Sequence, residues 1–308
     1  MFLIAVLAAA VALASIFGSE RLSFFDLSDQ QRSILFDIRL PRVFLAACVG
    51  ASLAAAGAGL QALLRNPLAE PYLLGVSNGA ALGTMLAFVL FENLEYSRPV
   101  MAFAGAAAAT FVVYQMAKGR AGMTVERLVL SGVIVTTFLS SVIVLFTSIL
   151  DAAKLRSFTF WLLGDLSQAT KNGTILCLIA ALIGTVVLAS QARGLNLMMI
   201  GERDALDFGV EVSRVRLLVF GAGALLVGAS VAASGSVGYV GLVVPHLVRM
   251  ATGSDNRSVI PFSAIAGAAF VVLADLVART AIAPRELPVG AITALIGAPV
   301  FIFLLRRN

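Results

Sequence analysis

The chain has 308 residues, of which 60% are hydrophobic and only 13% charged, with a mean hydropathy of +0.98 and a formal net charge of +5. This composition excludes a soluble globular domain of this length and is typical of a polytopic membrane protein. The sequence contains no GxxxxGK(S/T) phosphate loop, so the chain is not predicted to be an ATPase. Without a linker long enough to separate modules, residues 1–308 are predicted to form a single membrane domain.

Ten apolar stretches are predicted as membrane spans, at ~20 residues for each crossing. They cover residues 1–18, 43–64, 73–91, 99–117, 128–150, 173–191, 216–236, 238–251, 259–277 and 288–305. The predicted fold class is therefore an all-α polytopic membrane protein with about ten transmembrane helices. With both termini in the cytoplasm, twelve of the 22 Lys and Arg residues lie inside and ten outside. The positive-inside bias is slight, and either an acidic external partner or chance surface charge would explain it.

A possible internal repeat joins two of these regions. VGASLAAAGAGLQALLRNP at 49–67 aligns without gaps to VGASVAASGSVGYVGLVVP at 227–245. An odd number of crossings separates the copies, so they would run in opposite directions. This predicts an inverted repeat in which helices 2–5 correspond to helices 7–10, as in several transporter folds.

Prolines mark a corner after the second span. Pro67 and Pro71 remove backbone donors and disfavour helix in the residues before them, so the helix must end here. Polar groups at membrane depth either line a pathway or hydrogen-bond between helices, and both interpretations stay open for this corner. Four polar residues cluster there: Gln61, Asn66, Ser77 and Asn78.

The segment from Ala192 to Arg216 is the longest one of mixed charge, and it is predicted to form one or two short cytoplasmic helices. Between Gly201 and Gly209, three residues offer a small apolar face and four charged residues surround it. The apolar residues are Ala205, Leu206 and Phe208, and the charged ones are Glu202, Arg203, Asp204 and Asp207. A short amphipathic helix under a membrane is suited to bind a soluble partner, while a solvated connector is the alternative.

Other polar residues give weaker indications. His246 is the only histidine and no cluster of metal ligands accompanies it, so neither a metal site nor a cofactor is predicted. Asp275 and Arg279 are four residues apart on one predicted helix face, which favours an ion pair over a proton relay.

Three segments carry a likeness to a known family: RLPRVFLAACVGASLAAAGAGLQALLRNPLAEPYLLGVSNGAALG, GYVGLVVPHLVRMATG and ELPVGAITALIGAPVFIFLL. Over about residues 39 to 305 they resemble the FecCD-type permeases, the membrane subunits of ABC importers for iron–siderophores, haem and cobalamin. The proline corner looks most like that of the cobalamin permeases. The resemblance implies a ten-helix subunit of the bacterial inner membrane that forms a homodimer. It also implies two ATP-hydrolysing subunits on the cytoplasmic side and a substrate-binding protein outside, with no nucleic-acid partner.

The resemblance also implies roles for individual residues. Arg39, Arg42 and Arg279 match arginines that receive acidic residues of the binding protein. Asn66 and Leu68 match the cytoplasmic gate, and Thr124 with Val125 matches a second gate region, although Val125 and Glu126 replace the family's small polar pair. The residues from Gly201 to Gly209 match the coupling helices that contact the ATPase.

Two alternatives to an ABC permease remain from the sequence. A self-sufficient secondary transporter would need intramembrane acids for ion coupling, and Asp275 is the single candidate. An intramembrane enzyme would need a metal or nucleophile constellation, which the sequence does not offer. Which chelate is carried is not readable from the chain.

Overall fold

The computed structural model describes residues 1–18, 28–91, 94, 96–119 and 122–307, and these are largely helical. The α-helices in chain order are α1 (Phe2–Ile16), α2 (Asp29–Ser33), α3 (Leu40–Leu64), α4 (Val76–Leu90), α5 (Ser97–Ala117), α6 (Val125–Thr147), α7 (Ala152–Leu162), α8 (Lys171–Ser190), α9 (Ala192–Ile200), α10 (Glu202–Asp207), α11 (Val212–Ser234), α12 (Val240–Thr252), α13 (Asn256–Thr280) and α14 (Val289–Arg307). A π-helix (Ile34–Arg39) leads into α3, and a 3₁₀-helix (Pro71–Leu74) precedes α4. An antiparallel pair of short strands, β1 (Lys118–Gly119) and β2 (Gly122–Met123), lies between α5 and α6.

Each of the ten predicted spans contains one helix. Among the described residues, six helical runs are long and apolar enough to cross a membrane, namely Asp29–Leu64, which includes α3, and the helices α5, α6, α8, α11 and α13. Four apolar helices, α1, α4, α12 and α14, are shorter within the described residues. The all-α membrane fold is therefore confirmed, as expected where lipid cannot satisfy backbone polar groups. The number of ten crossings stays a prediction.

Helix α3 lies at the centre of the bundle and packs against α8, α11, α12 and α13. Its glycines make this possible. A Cβ at Gly50 would overlap the Gly267 carbonyl of α13, and one at Gly57 would overlap the Gly241 carbonyl of α12. Small residues let backbones approach closely in lipid, where packing and not water exclusion holds helices together.

The proline corner is confirmed, and it lies against a second non-helical connection. Residues 65–75 join α3 to α4, and residues 235–239 join α11 to α12. Tyr72 Oη donates to the Val237 carbonyl over 3.0 Å and accepts from its N–H over 2.9 Å. Gln61 Nε2 of α3 donates to the Gly241 and Leu242 carbonyls over 3.3 and 3.2 Å. Side chains thus satisfy backbone groups that lack a helical partner, since Val237 lies outside the helices and Pro245 has no N–H to offer the Gly241 carbonyl.

The two aligned copies of the predicted repeat differ in secondary structure. In the first copy, residues 57–61 continue helix α3, whereas the residues aligned to them, 235–239, form the non-helical connection. Small residues recur in both segments because both pack closely against neighbours, and this produces much of the match. The gap-free alignment therefore does not pair equivalent elements throughout, and the inverted repeat stays a prediction.

Candidate functional site

The two ends of the bundle carry separate polar clusters. The end that holds the C-terminus of α3 and the start of α11 is the predicted cytoplasmic end. The end that holds the start of α3 and the C-terminus of α13 is the predicted outer end. Most of the site residues predicted from sequence fall in these two clusters.

The mixed-charge segment forms two short helices, α9 and α10, within the predicted range. Ala205 lies on the inner face of α10 and is fully buried, whereas Leu206 and Phe208 are 58% and 70% exposed. The three residues therefore do not form one shared apolar face, because Ala205 anchors the helix and the other two point away from it. The charged residues Arg203 and Asp204, like Asp207, are exposed beside this pair. Gly209, at φ 76°, lies at the turn that follows α10, between Phe208 and Val210.

Helix α9 is held to the start of α13 by a polar contact. Asn196 donates to the Asp255 carboxylate over 2.7 Å and accepts from the Asn256 N–H over 2.9 Å. Asp255 also caps α13 by accepting from the Arg257 N–H over 2.9 Å. These donors, Arg257 N–H first, hold the pKa of Asp255 below its ordinary value. The segment that carries α10 is therefore fixed to the bundle on one side.

The first predicted gate lies at the proline corner. Asn66 Oδ1 accepts from the Leu68 N–H over 2.9 Å, which closes an Asx turn. Leu68 is 47% exposed at the predicted cytoplasmic end. Just beyond, Glu70 Oε1 accepts from the Tyr239 N–H over 3.1 Å. Burial raises the pKa of the Glu70 carboxyl, and the Tyr239 N–H acts against that shift.

The second predicted gate begins α6. Thr124 is its N-cap and accepts from the Arg127 N–H over 3.4 Å, with Val125 half-buried behind it. The preceding Met123 carbonyl accepts from Arg216 Nη1 of α11 over 2.8 Å. Arg216 was not predicted as a site residue, since a single arginine at a helix start carries no distinctive sequence signal.

The polar residues near the corner bond between helices. Gln61 is only 2% exposed, and its amide bridges α3 to α12 as described above. Asn78 of α4 donates to the Thr136 carbonyl over 3.0 Å and to Ser140 Oγ over 2.7 Å, both on α6. Ser77 Oγ lies 3.4 Å from Ser236 Oγ. Of the two interpretations that the sequence left open, these contacts favour interhelical bonding.

At the predicted outer end the structure brings Arg39, Arg42 and Arg279 together, but they are buried. The three residues are 5%, 8% and 5% exposed. Arg39 donates to the Ile16 carbonyl over 2.8 Å, and Arg279 donates to the Ala14 carbonyl over 2.6 Å. Both arginines thereby fasten the end of α1 to the rest of the bundle.

Asp275 is the centre of this outer cluster. Arg42 donates to Oδ1 of its carboxylate from Nε and Nη2, over 3.0 and 2.9 Å. Arg279 Nε lies 3.4 Å from Oδ2. The predicted Asp275–Arg279 ion pair is thus present. Arg42 also donates to Glu286 over 2.8 Å, a partner that no sequence pattern indicates. A cavity of about 240 Å³ opens beside the cluster and is lined by Gly18, Ile34, Ile38, Arg39, Arg42, Arg279 and Glu286.

Comparison with known proteins shows what this arrangement is similar to. The chain is 40% identical over 302 residues to the hemin transport system permease protein HmuU of Yersinia pestis, which covers 94% of this chain and 90% of the relative. It is 42% identical over 282 residues to the cobalamin import system permease protein BtuC of Halobacterium salinarum, covering 92% of this chain and 76% of the relative.

A solved structure described as a metal-chelate type ABC transporter in an inward-facing conformation superposes with a TM-score of 0.92 at 33% identity. The match covers 100% of this chain and 98% of that one. The model of the FecCD transport family matches residues 1–307. The chain therefore belongs to the FecCD family of ABC transporter permeases.

Proposed function

We propose that this chain is the membrane-spanning permease subunit of a binding-protein-dependent ABC importer, which carries a bulky metal chelate into the cytoplasm. Membership of the FecCD family supports this class of transporter. The structural observation that carries the proposal is the pair Leu206 and Phe208, 58% and 70% exposed on α10 among charged residues. Large apolar side chains that protrude from a charged surface are typical of a docking surface for another protein.

The partners follow from this proposal. Two copies of the chain form a homodimer around a central pathway, and two ATP-binding cassette subunits bind below it at α10. An extracytoplasmic binding protein delivers the chelate, and the complex lies in the bacterial inner membrane with the termini of this chain in the cytoplasm. The relatives named for hemin and cobalamin support a cargo of that chemical class, which also includes iron–siderophores.

A secondary transporter is a weaker candidate because of the state of Asp275. Ion coupling needs a carboxylate that can bind and release a cation during the cycle. The Asp275 carboxylate is 1% exposed and is held by Arg42 and Arg279.

Docking of the binding protein at Arg39, Arg42 and Arg279 remains a proposal. The described part of the outer cluster brings these three arginines together with Asp275 and Glu286, beside the cavity that the arginines help to line. An acidic partner would be attracted to the guanidinium groups at that opening. Since the three guanidinium groups are already held by internal contacts, they would act as a fixed positive field and not as free side chains.

Charging the apolar pair on α10 tests the proposed function. Replacing Leu206 and Phe208 by Asp should lower ATP-driven uptake by about tenfold or more, because a charge at a buried interface anchor costs about 2 kcal/mol. Uptake of hemin, cobalamin and a ferric hydroxamate would be measured in vesicles that contain the assembled complex and its binding protein. Arg214→Asp is the control, since Arg214 is exposed at the same end but outside the apolar pair. Wild-type uptake and ATPase stimulation in the double variant would contradict the proposal.

Crosslinking tests the gate and the dimer axis. Leu68 is 47% exposed at the corner that the Asn66 turn fixes, so it should meet its counterpart near the axis. With Cys48 and Cys177 replaced, Leu68→Cys should form a disulfide between subunits in one nucleotide state more than in another. Leu176→Cys on α8, 67% exposed, should not crosslink and serves as the control. Absence of the Leu68→Cys crosslink in every nucleotide state would rule out this gate position.

A further inference from the structure

Three charged side chains from three elements meet at the predicted cytoplasmic end. Arg65 is the C-cap of α3, Glu202 begins α10, and Arg216 lies near the start of α11. Glu202 Oε1 is 3.6 Å from Arg65 Nη2 and also accepts a hydrogen bond from Arg216 Nη2. The Glu202 carboxylate thus bridges two arginines, between α10 and the elements that carry the two predicted gates.

Arg216 connects this cluster to the second gate. Its side chain is only 10% exposed, and its guanidinium donates to Glu202 on one side and to the Met123 carbonyl over 2.8 Å on the other. Met123 ends β2 and directly precedes Thr124, the N-cap of α6. A buried guanidinium that loses one of its partners is left with an unpaired charge, so these contacts should persist when the elements move.

Arg65 connects the same carboxylate to the first gate. It has a left-handed backbone, with φ 49°, and directly precedes Asn66, whose own N–H bonds to the Gln61 carbonyl over 3.1 Å. The Arg65 and Glu202 side chains are 40% and 43% exposed. Ion pairs this exposed are weak and exchange readily with water, so this contact can break and reform during a transport cycle.

We infer that Glu202 is the residue through which α10 positions both gates, with Arg216 as its lasting contact to the Thr124 gate and Arg65 as its exchangeable contact to the Leu68 gate. This inference rests on the proposed function and adds Arg65 and Arg216 to its machinery as positioning residues. The buried Ala205 packs α10 against the bundle, so a displacement of α10 is passed on through its contacts. At Glu202 this displacement reaches β2 and Thr124 through Arg216, and it reaches the proline corner through the Arg65 contact, which can open.

The experiment measures how much chelate is transported for each ATP hydrolysed, in the assembled complex with its binding protein. Glu202→Gln removes the negative charge while keeping the shape, and should lower this ratio about five- to tenfold. Glu202→Asp keeps the charge and should recover part of the ratio. The control is Glu211→Gln, which removes an exposed acid whose only ion pair at the same end is 4.0 Å long, and it should leave the ratio unchanged.

A second readout separates positioning from simple structural damage. Thiol labelling of Leu68→Cys and of Thr124→Cys should depend on nucleotide in the wild-type background, and Glu202→Gln should abolish that dependence at both positions. Arg65→Gln should abolish it at position 68 alone, because it breaks only the 3.6 Å contact. If Glu202→Gln fails to assemble, Arg65→Gln tests the same linkage by itself.

The possible results are distinguishable. A wild-type complex that transports no chelate with ATP would refute the proposed function itself. If the wild-type complex transports chelate but Glu202→Gln keeps both its ratio and its nucleotide-dependent labelling, only the positioning role is refuted. Equal ratios for Glu202→Asp and Glu202→Gln would likewise refute a role for the charge.

Discussion

Arg42→Met is expected to destabilise the protein by about 3–5 kcal/mol, because it leaves a buried carboxylate without its principal partner. Asp275 is 1% exposed, and Arg42 supplies two of its close contacts, at 2.9 and 3.0 Å. Arg279 remains beside Asp275 at 3.4 Å but is already committed to the Ala14 carbonyl. One longer contact does not replace the two that are lost, so the apparent melting temperature in detergent should fall by several degrees.

Two further variants sharpen this test. In Arg42→Met with Asp275→Asn, the uncompensated carboxylate becomes a neutral amide whose oxygen can still accept from Arg279, so part of the stability should return. The control Lys171→Met breaks the exposed Lys171–Asp37 pair, which is 2.7 Å long with side chains 63% and 52% exposed, and should leave the melting temperature nearly unchanged. Equal losses for Arg42→Met and Lys171→Met would show that the Arg42 contacts do not stabilise the fold.

The burial of these arginines also changes how docking should be studied. Arg42→Glu would place a second carboxylate against Asp275, so a loss of uptake in that variant would report misfolding as readily as lost docking. Changing the acidic residues of the binding protein avoids this ambiguity. A reduced association rate at low salt would then be assigned to the interface itself.

Much of the helical architecture could be predicted from hydropathy alone. Lipid forces backbone polar groups to bond within the chain, so apolar stretches bounded by charge or proline correspond to helices. The end of α3 before Pro67 could be predicted equally well, because proline lacks the backbone N–H that a continuing helix needs. Details of the helix boundaries that depend on spatial neighbours could not be predicted in this way. The start of α12 only at Val240 is one such detail, since Glu70 accepts from the Tyr239 N–H across 169 positions of sequence. Hydropathy also misses the helical run back to Asp29, although its signal is local, the capping box of Ser28 and Gln31.

The polar clusters show the same limit. The i,i+4 pair of Asp275 and Arg279 follows from helix geometry, whereas Arg42 reaches Asp275 across 233 positions of sequence. Nothing local indicates such a contact. Charged side chains at the predicted helix ends were therefore expected to be exposed to solvent, whereas the fold buries them. For Ala205, Leu206 and Phe208, composition predicted a shared apolar face, but the path of α10 over the bundle decides which of them points inward.

Gly57→Ala is expected to cost about 2–3 kcal/mol, which is near the upper range for overpacking a close interface. The new Cβ would overlap the Gly241 carbonyl, a backbone group that cannot rotate away as a side chain does. Separating α3 from α12 would also lengthen the bonds of 3.3 and 3.2 Å from Gln61 to the Gly241 and Leu242 carbonyls. Those carbonyls belong to the first turn of α12, so the damage should extend to the connection that ends at Tyr239.

The matched control is Gly221→Ala on α11, where an added Cβ meets nothing within 4 Å. Alanine is the better helix former, so this change should add up to about 0.5–1 kcal/mol to the free energy of unfolding. The melting temperature should therefore stay unchanged or rise slightly. Comparing the same substitution in two helices thus separates the stability lost through close backbone contact from the stability gained through helix propensity. The measurement is thermal unfolding in detergent, together with the nucleotide-dependent labelling of Leu68→Cys in each background. If Gly57→Ala melted at the temperature of Gly221→Ala, the close approach of α3 to α12 would not be a source of stability.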